Sequence, residues 1–301
     1  MTISYRLYDV FADEPFAGTP IAVVMADVLL DDAVKTRITA ELGCSETVFV
    51  DPSNPASPFA VYNGQGKTSF GAHTTLAAAA RAFELGYGKQ AEGYSEYLLQ
   101  DGGLSVNTFQ DASGHGAGGL TLFARHFDFT TDRFVPELSD IARALNTEVK
   151  HLAYSRYKPR LVAVDTPVLV VPMTRPDHVV AARLDTGQWA PLLSEIYATA
   201  ILLVAPGSVG GRAHFHGRLV TPHYEAAACP PIGSVIPEFI AYLCCCEGTA
   251  IGTHTTSIDR GHPAARQSLI HIEFDYRGGQ QARCRIGGNV VLMAEGQFVY
   301  P

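Results

Sequence analysis

The 301-residue chain has no apolar run of about 18 residues, the minimum that a membrane-spanning helix requires. Its strongest apolar segment, residues 198–205, is short enough to be a buried strand. Residues 1–10 have neither a basic start nor a long apolar region, so no secretory leader is expected. We therefore predict a soluble, cytoplasmic protein without a membrane partner.

Positive charge is also scarce. The chain has 22 Lys and Arg against 30 Asp and Glu, which gives a net charge of −8. Proteins that bind nucleic acid or anionic membranes concentrate basic residues on one surface, so neither partner is expected. Hydrophobic residues make up 47% of the chain, which is ample for a folded core, and the length allows one large or two medium domains.

Motifs for metals, nucleotides and serine nucleophiles are missing as well. The six cysteines show no CxxC spacing, so we expect reduced thiols rather than a zinc site or disulfides. His214 and His216 alternate on a predicted strand, but no third ligand has convincing spacing. Residues 207–211 are rich in glycine without forming GxGxxG or a Walker motif, and there is no GxSxG. We expect no metal and no nucleotide.

What the chain does contain is one arrangement that occurs twice. An alternating strand over 59–63 precedes Phe70-Gly71-Ala72-His73-Thr74, where an alanine-rich helix begins. A second strand over 213–220 precedes Cys229-Pro230-Pro231-Ile232-Gly233-Ser234 and another helix. The N–H groups at a helix start can bind a carboxylate. If the two helix starts face one another, one substrate carboxylate can sit between them.

The element pattern predicts an α+β fold. Strands outnumber helices, each half has one main helix, and long βαβ alternation is missing. We predict two similar domains, each a curved, mostly antiparallel sheet wrapped around a central helix, with a boundary near 130–136. Thr74 or Thr75 and, in the second copy, Ser234 are expected to cap the two helices. Gly287-Gly288 is expected to be a turn between two strands, and residues 189–197 a helix.

Three residues are candidates for chemistry. Glu46 lies where the chain passes from a helix end into an apolar strand, so partial burial would raise its pKa and suit it to proton transfer. His73, at a helix start, is expected to be neutral and to act as a hydrogen-bonding group. Cys229 precedes the second helix, where a thiol can become partly thiolate. The alternatives are a solvated glutamate, a capping histidine and an inert cysteine.

Several motifs in order resemble the PhzF-like (phenazine biosynthesis isomerase) family. Tyr8-Asp9-Val10-Phe11 with Pro15-Phe16-Ala17-Gly18-Thr19-Pro20 is similar to that family's opening "DVF…PFxGNP". Ser45-Glu46-Thr47-Val48-Phe49-Val50 resembles "SETxFV", and Phe70-Gly71-Ala72-His73-Thr74 stands where the family has "FAGHP". Gly233-Ser234 matches the end of "DPATGSA", and Arg285-Ile286-Gly287-Gly288 matches "VRVGG".

The resemblance implies a diaminopimelate epimerase-like fold with its active site between two domains. The N-terminal domain would cover residues 1–130 and include a returning strand over 288–301. The C-terminal domain would cover residues 131–287. It also implies a homodimer that uses no metal and no organic cofactor. It assigns proton transfer to Glu46 and substrate binding to a further set: Ser45, Gly71, Ala72, His73, Cys229, Gly233 and Ser234.

Two departures from the family pattern bear on the reaction. Thr74 replaces the proline of "GHP", and Cys229 replaces the aspartate of "DPATGSA". The cysteines of the epimerase relatives correspond here to Gly71 and to a position near Ile232, so two-thiol racemisation is not expected. We predict a cofactor-independent isomerase that shifts a double bond in a small cyclic or unsaturated amino or carboxylic acid. Its setting would be secondary metabolism, such as an alkyl-proline antibiotic pathway. The alternatives are a racemase that uses Glu46 with Cys229, and a non-catalytic binder.

Overall fold

The computed structural model describes residues 2–54, 58–101, 104–111, 120–193, 196–224, 229–262 and 265–299. The chain divides into two compact units. Unit 1 comprises residues 1–125 and 285–301, and unit 2 comprises residues 126–284. Helices and strands are mixed within each unit, which confirms the predicted α+β class. No helix in these described ranges is long and apolar enough to span a membrane.

The elements of unit 1 begin with paired strands and continue through two helices into a meander. In chain order they are β1 (Ile3–Val10), β2 (Thr19–Ala26), α1 (Asp32–Leu42), β3 (Glu46–Val50), β4 (Phe59–Asn63), β5 (Gly66–Thr68), α2 (Ala72–Glu84), β6 (Lys89–Ala91), β7 (Tyr94–Asp101), β8 (Leu104–Asp111) and β9 (Leu120–Asp128).

Most strand pairs of unit 1 are antiparallel. β1 pairs antiparallel with β2, β2 runs parallel to β3, and β3 pairs antiparallel with β4. The β2–β3 pair is parallel because α1 carries the chain back across the sheet before β3 begins. β6, β7, β8 and β9 then form an antiparallel meander.

The sheet of unit 1 is built around α2. Ten of the thirteen residues of this helix are buried, and it packs against β1, β2, β3, β7 and β8. Ala77, Ala78 and Ala79 are fully buried, and their small side chains allow strands to approach on several sides. A helix that is apolar around most of its circumference belongs in a core. α1 covers another part of the sheet with Val34 and Ile38.

Unit 2 has the following elements in chain order: β10 (Thr130–Asp132), α3 (Leu138–Ala144), β11 (Arg160–Ala163), β12 (Pro167–Pro172), α4 (Pro176–Ala181), α5 (Trp189–Leu193), β13 (Ala200–Pro206), β14 (Phe215–Val220), α6 (Ile236–Cys245), β15 (Gly252–His262), β16 (Ala265–Tyr276) and β17 (Gln281–Phe298). Residues 285–298 of β17 belong to unit 1, where the strand pairs antiparallel with β1.

Unit 2 repeats the pairing order of unit 1. β11 and β12 are antiparallel, β12 and β13 are parallel, and β13 and β14 are antiparallel. Helix α6 comes after β14 as α2 comes after the β4–β5 hairpin, and nine of its ten residues are buried. It packs against β11 and β12. The prediction of two similar domains, each with a central helix, is therefore confirmed.

Several features depart from the predicted elements. Gly287 and Gly288 lie inside the continuous strand β17, so the predicted turn is wrong. A Cβ on Gly287 would come within 2.6 Å of Leu122 Cβ, which shows that this glycine allows β9 to approach closely. The helix predicted over residues 189–197 is present as α5 up to Leu193, and residues 194–195 lie outside the described residues. Strand β15 was not predicted.

Candidate active site

Four strand ends meet at one edge of the unit 1 sheet. Val10, the last residue of β1, lies opposite Thr19, the first residue of β2. Glu46, the first residue of β3, lies opposite Asn63, the last residue of β4. Because β2 and β3 are parallel, their first residues lie at the same edge. We call this edge, with Val10, Thr19, Glu46 and Asn63, the Glu46 edge.

The carboxyl group of Glu46 is half-buried at this edge, next to the start of α2. A Cβ built on Gly71 would lie 4.0 Å from Glu46 Oε2. Burial raises the pKa of the Glu46 carboxyl above its usual range. A carboxyl group whose pKa moves toward neutrality can exchange a proton with a bound molecule more readily. Ser45, immediately before it, is exposed.

Helix α2 begins at this carboxyl group with a glycine rather than a threonine cap. Gly71 is the N-cap, its N–H donates to Thr74 Oγ1 over 2.9 Å, and the Thr74 hydroxyl donates to Gly71 O over 3.2 Å. The prediction that Thr74 or Thr75 is the cap is therefore wrong by one turn, because Thr74 reaches back from the third helical position. Without a side chain at Gly71, the space beside Glu46 stays open.

His73 is the second residue of α2 and is 5% exposed. Its imidazole ring lies edge-to-face with the ring of Phe11, with centroids 4.9 Å apart and an interplanar angle of 87°. The predicted residues Glu46, Gly71, Ala72 and His73 thus gather at one helix start. Phe11 was not predicted as a site residue, although it lies within the "DVF" motif.

The equivalent edge of unit 2 has no carboxylate where its third strand begins. β13 starts at Ala200, and the preceding Thr199 donates from its N–H to Pro167 O over 2.8 Å. Thr199 Oγ1 also donates to Pro167 O, over 3.1 Å. The position that corresponds to Glu46 is therefore occupied by Thr199, whose N–H and hydroxyl groups link the start of β13 to the start of β12.

The predicted residues of unit 2 lie before α6. Cys229 is half-buried, and its carbonyl accepts a 2.6 Å hydrogen bond from Nη1 of the buried Arg260. Burial lowers the pKa of the Arg260 guanidinium. Residues 225–228, which precede Cys229, lie outside the described residues.

Gly233 and Ser234 belong to a 3-10 turn, Gly233–Val235, that leads into α6. Gly233 is buried and Ser234 is exposed. The N-cap of α6 is Val235, so the prediction that Ser234 caps this helix is wrong. The 3-10 turn displaces the first α-helical residue beyond Ser234, and Pro237 occupies the first turn of α6.

A buried carboxyl group in α6 was missed by the sequence analysis. Glu238 is 0% exposed, and its Oε1 accepts hydrogen bonds from Asp165 N at 3.0 Å and Thr166 N at 3.3 Å. Burial raises the pKa of this carboxyl group. An acidic residue within the apolar run Ile236–Leu243 was the available signal. Its contacts show that it holds the turn between β11 and β12.

The two histidines considered as metal ligands have separate partners. His216 Nδ1 lies 2.6 Å from Asp259 Oδ1 inside the protein, and His214 Nδ1 lies 3.0 Å from Ser257 Oγ. Among the residues that the structure describes, no group of three or more His, Cys, Asp or Glu side chains is arranged to hold a metal ion. All six cysteines are described and none forms a disulfide.

Comparison with known proteins identifies the fold and a family. The family model described as "Phenazine biosynthesis-like protein" matches residues 8–296. A relative named an uncharacterized isomerase, from Mesorhizobium japonicum, is 26% identical over 306 residues, with 99% of each chain covered. A phenazine biosynthesis protein of the PhzF family from Bacillus anthracis has a similar structure, with a TM-score of 0.82, 17% identity and 100% of both chains covered. A predicted epimerase from Pseudomonas aeruginosa has a TM-score of 0.72 at 24% identity, with 99% of both chains covered.

Proposed function

Because the chain belongs to the phenazine biosynthesis-like protein family, we propose that it is a cofactor-independent isomerase acting on a small carboxylic or amino acid. The observation that carries this proposal is the half-buried carboxyl group of Glu46 beside the start of α2. Burial that raises its pKa prepares this group to accept a proton from carbon and to return it. The M. japonicum relative, which matches along the whole chain, is itself named an isomerase.

The reaction we propose is the migration of a double bond. Glu46 removes a proton from a carbon next to a C=C bond, and the electron pair of that C–H bond forms the new double bond. The π electrons of the old double bond then take up the proton from Glu46 at its far carbon. No electrons leave the substrate and the enzyme is regenerated.

The start of α2 supplies the binding groups for this reaction. The first N–H groups of a helix have no acceptor within the helix, and the helix dipole favours a negative charge there. A substrate carboxylate held at the Ala72 N–H, next to Gly71, lies beside Glu46, and negative charge that develops during proton removal is stabilised. His73 contributes a hydrogen bond. Ser45, Cys229, Gly233 and Ser234 are proposed as further binding residues on the strength of the family resemblance.

We further propose a cyclic or unsaturated amino acid as substrate and a role in secondary metabolism, such as an alkyl-proline antibiotic pathway. The support is the replacement of the aspartate of "DPATGSA" by Cys229. A thiol is a weaker polar partner for a substrate amine or hydroxyl than a carboxylate is. The phenazine substrate therefore suits this chain less well than a substrate that makes fewer polar contacts there.

We also propose a homodimer, which sedimentation of the purified protein tests directly.

A racemase that uses Glu46 with Cys229 is the second candidate. The observation that favours it is the position of Cys229, half-buried before α6 with its carbonyl held by Arg260. Such an enzyme exchanges a proton at a stereocentre and moves no double bond. A binder without chemistry is the third reading, and it predicts binding without any exchange.

Proton exchange in D2O tests these proposals. Wild type, Glu46→Gln, Cys229→Ser and the control Glu41→Gln, an exposed residue of α1, are incubated with L-proline, its unsaturated ring analogues and itaconate. NMR then follows deuterium uptake and double-bond position. We expect uptake with double-bond movement in wild type, Cys229→Ser and Glu41→Gln, and none in Glu46→Gln. Uptake at a stereocentre that requires Cys229 supports the racemase, and equal turnover by Glu46→Gln contradicts both reactions.

A further inference from the structure

The turn between β1 and β2 contains two aromatic residues with unusual backbone geometry. Phe11 has φ +59° and Phe16 has φ +67°, both in the left-handed region. Gly18, at φ +63°, ends the same turn, and a Cβ there would lie 2.3 Å from Val10 O. Bulky residues adopt left-handed conformations rarely, and such residues concentrate at functional sites.

Hydrogen bonds hold both sides of the turn. The buried Asp9 accepts a 2.9 Å hydrogen bond from Phe16 N through Oδ2. Ala12 N donates to Asn289 O over 3.2 Å, and Asn289 Nδ2 donates to Asp13 Oδ1 over 3.1 Å. The turn is therefore tied to β1 on one side and to β17 on the other, and its conformation is set by tertiary contacts.

The result of this geometry is the contact between Phe11 and His73. Phe11 is fully buried, at the end of β1 on the Glu46 edge, and its ring meets the imidazole edge-to-face at 4.9 Å. Edge-to-face aromatic pairs have a preferred orientation, so the contact restricts rotation of the imidazole about its Cβ–Cγ bond. A hydrogen-bonding group works best when its direction is set before the ligand binds.

We propose that Phe11 is a positioning residue that sets the plane of the His73 imidazole and so directs one ring nitrogen at the molecule bound at the start of α2. This inference rests on the proposed role of His73 in substrate binding. This role gives a reason for the left-handed conformation of Phe11, which directly follows β1 and whose ring contacts His73 of α2. Phe11 acts through His73 and does not itself touch the substrate.

The first test observes the imidazole without any ligand. The protein is labelled with 13C-histidine, and the His73 ring signals are identified by their loss in His73→Gln. Phe11→Leu, and Phe11→Met in case the leucine variant folds poorly, are compared with Phe49→Leu. Phe49 is also buried and also makes an edge-to-face contact, with Tyr62 at 5.2 Å, so it controls for the loss of a buried ring.

We expect the His73 ring signals to shift and broaden in both Phe11 variants and to stay in place in Phe49→Leu. Unchanged His73 signals in a folded Phe11 variant would overturn the proposal. An equal shift of the His73 signals in Phe49→Leu would also overturn the proposal, because the effect would then reflect a general loosening of the core.

The second test is a double-mutant cycle on proton exchange with the most rapidly exchanging compound of the D2O panel. Phe11→Leu should lower kcat about tenfold or more, but have little further effect in a His73→Gln background. Additive losses contradict action through His73. If Glu46→Gln is fully active, the proposed function fails on its own. If Glu46→Gln is inactive while Phe11→Leu matches wild type, only the positioning role fails.

Discussion

The two units build the same strand edge, but each places a carboxyl group with a raised pKa near it in a different way. In unit 1, Glu46 starts β3 with its carboxyl group beside the N-cap of α2. In unit 2, Thr199 and Ala200 occupy the equivalent position, and the carboxyl group comes from Glu238 within α6. Burial raises the pKa of both carboxyl groups.

The difference lies in what each carboxyl group contacts. Glu238 Oε1 accepts two backbone N–H groups of the β11–β12 turn, so this oxygen supplies an acceptor inside unit 2 for the turn. Glu46 is only half-buried and faces a helix start whose N-cap is glycine. A raised pKa therefore accompanies both a structural role and a proposed catalytic one, and the hydrogen-bond partners tell the two apart.

Removing the charge at each position should separate the two roles most strongly. We expect Glu46→Gln to lower the rate of proton exchange by about a hundredfold or more while the protein stays folded, because amides do not act as bases at neutral pH. Glu238→Gln should keep the wild-type rate, since the amide oxygen still accepts the turn N–H groups. Exchange kinetics and circular dichroism on both variants check this. An inactive, folded Glu238→Gln would erase the distinction.

Truncation of Glu238 should reveal its structural role. Glu238→Ala leaves the N–H groups of Asp165 and Thr166 without their acceptor inside the protein. We expect the free energy of unfolding to fall by about 1–3 kcal/mol. Urea unfolding measures it, with Glu238→Gln as the matched control. Equal stability of Glu238→Ala and wild type would show that the turn does not depend on this carboxyl group.

The pH dependence of stability should also report on Glu238. Its folded pKa is raised above the unfolded value, so the folded state binds more protons between the two values. The stabilising contribution is fully present below the unfolded pKa and is lost as pH rises through the folded pKa. Wild type should therefore lose stability relative to Glu238→Gln as pH rises through this window. Parallel stability curves for the two proteins would contradict the raised pKa.

The smallest expected effect concerns the glycine beside Glu46. Gly71 has an extended backbone that alanine can adopt, and an added Cβ meets only Glu46 Oε2, at 4.0 Å. We expect Gly71→Ala to leave the unfolding free energy within about 0.5 kcal/mol of wild type and to raise KM several-fold. Gly64→Ala, where a Cβ meets nothing within 4 Å, is the control. An unchanged KM would place the substrate away from this helix start.

Local patterns predicted much of the fold. Helix α1 (Asp32–Leu42) has the boundary residues that such patterns indicate, with Asp31 as N-cap and Gly43 as a left-handed C-cap. Strand 59–63 has the predicted bounds, and Gly86 follows the end of α2. These features depend on capping groups and apolar periodicity within about one element length, which a single sequence displays. The helix starts were less well predicted, because Gly71 and Val235 became N-caps in place of threonine and serine.

The sequence by itself determined the α+β class, the repeated strand–helix arrangement and the motifs that carry the family resemblance, including Ser45-Glu46 and His73. Only the tertiary structure decided that Phe11 meets His73, that Glu238 holds the turn at Asp165, and that Gly287 lies against β9. Each of these contacts joins segments far apart in the chain. They depend on strand register and on side-chain packing, which local periodicity does not encode.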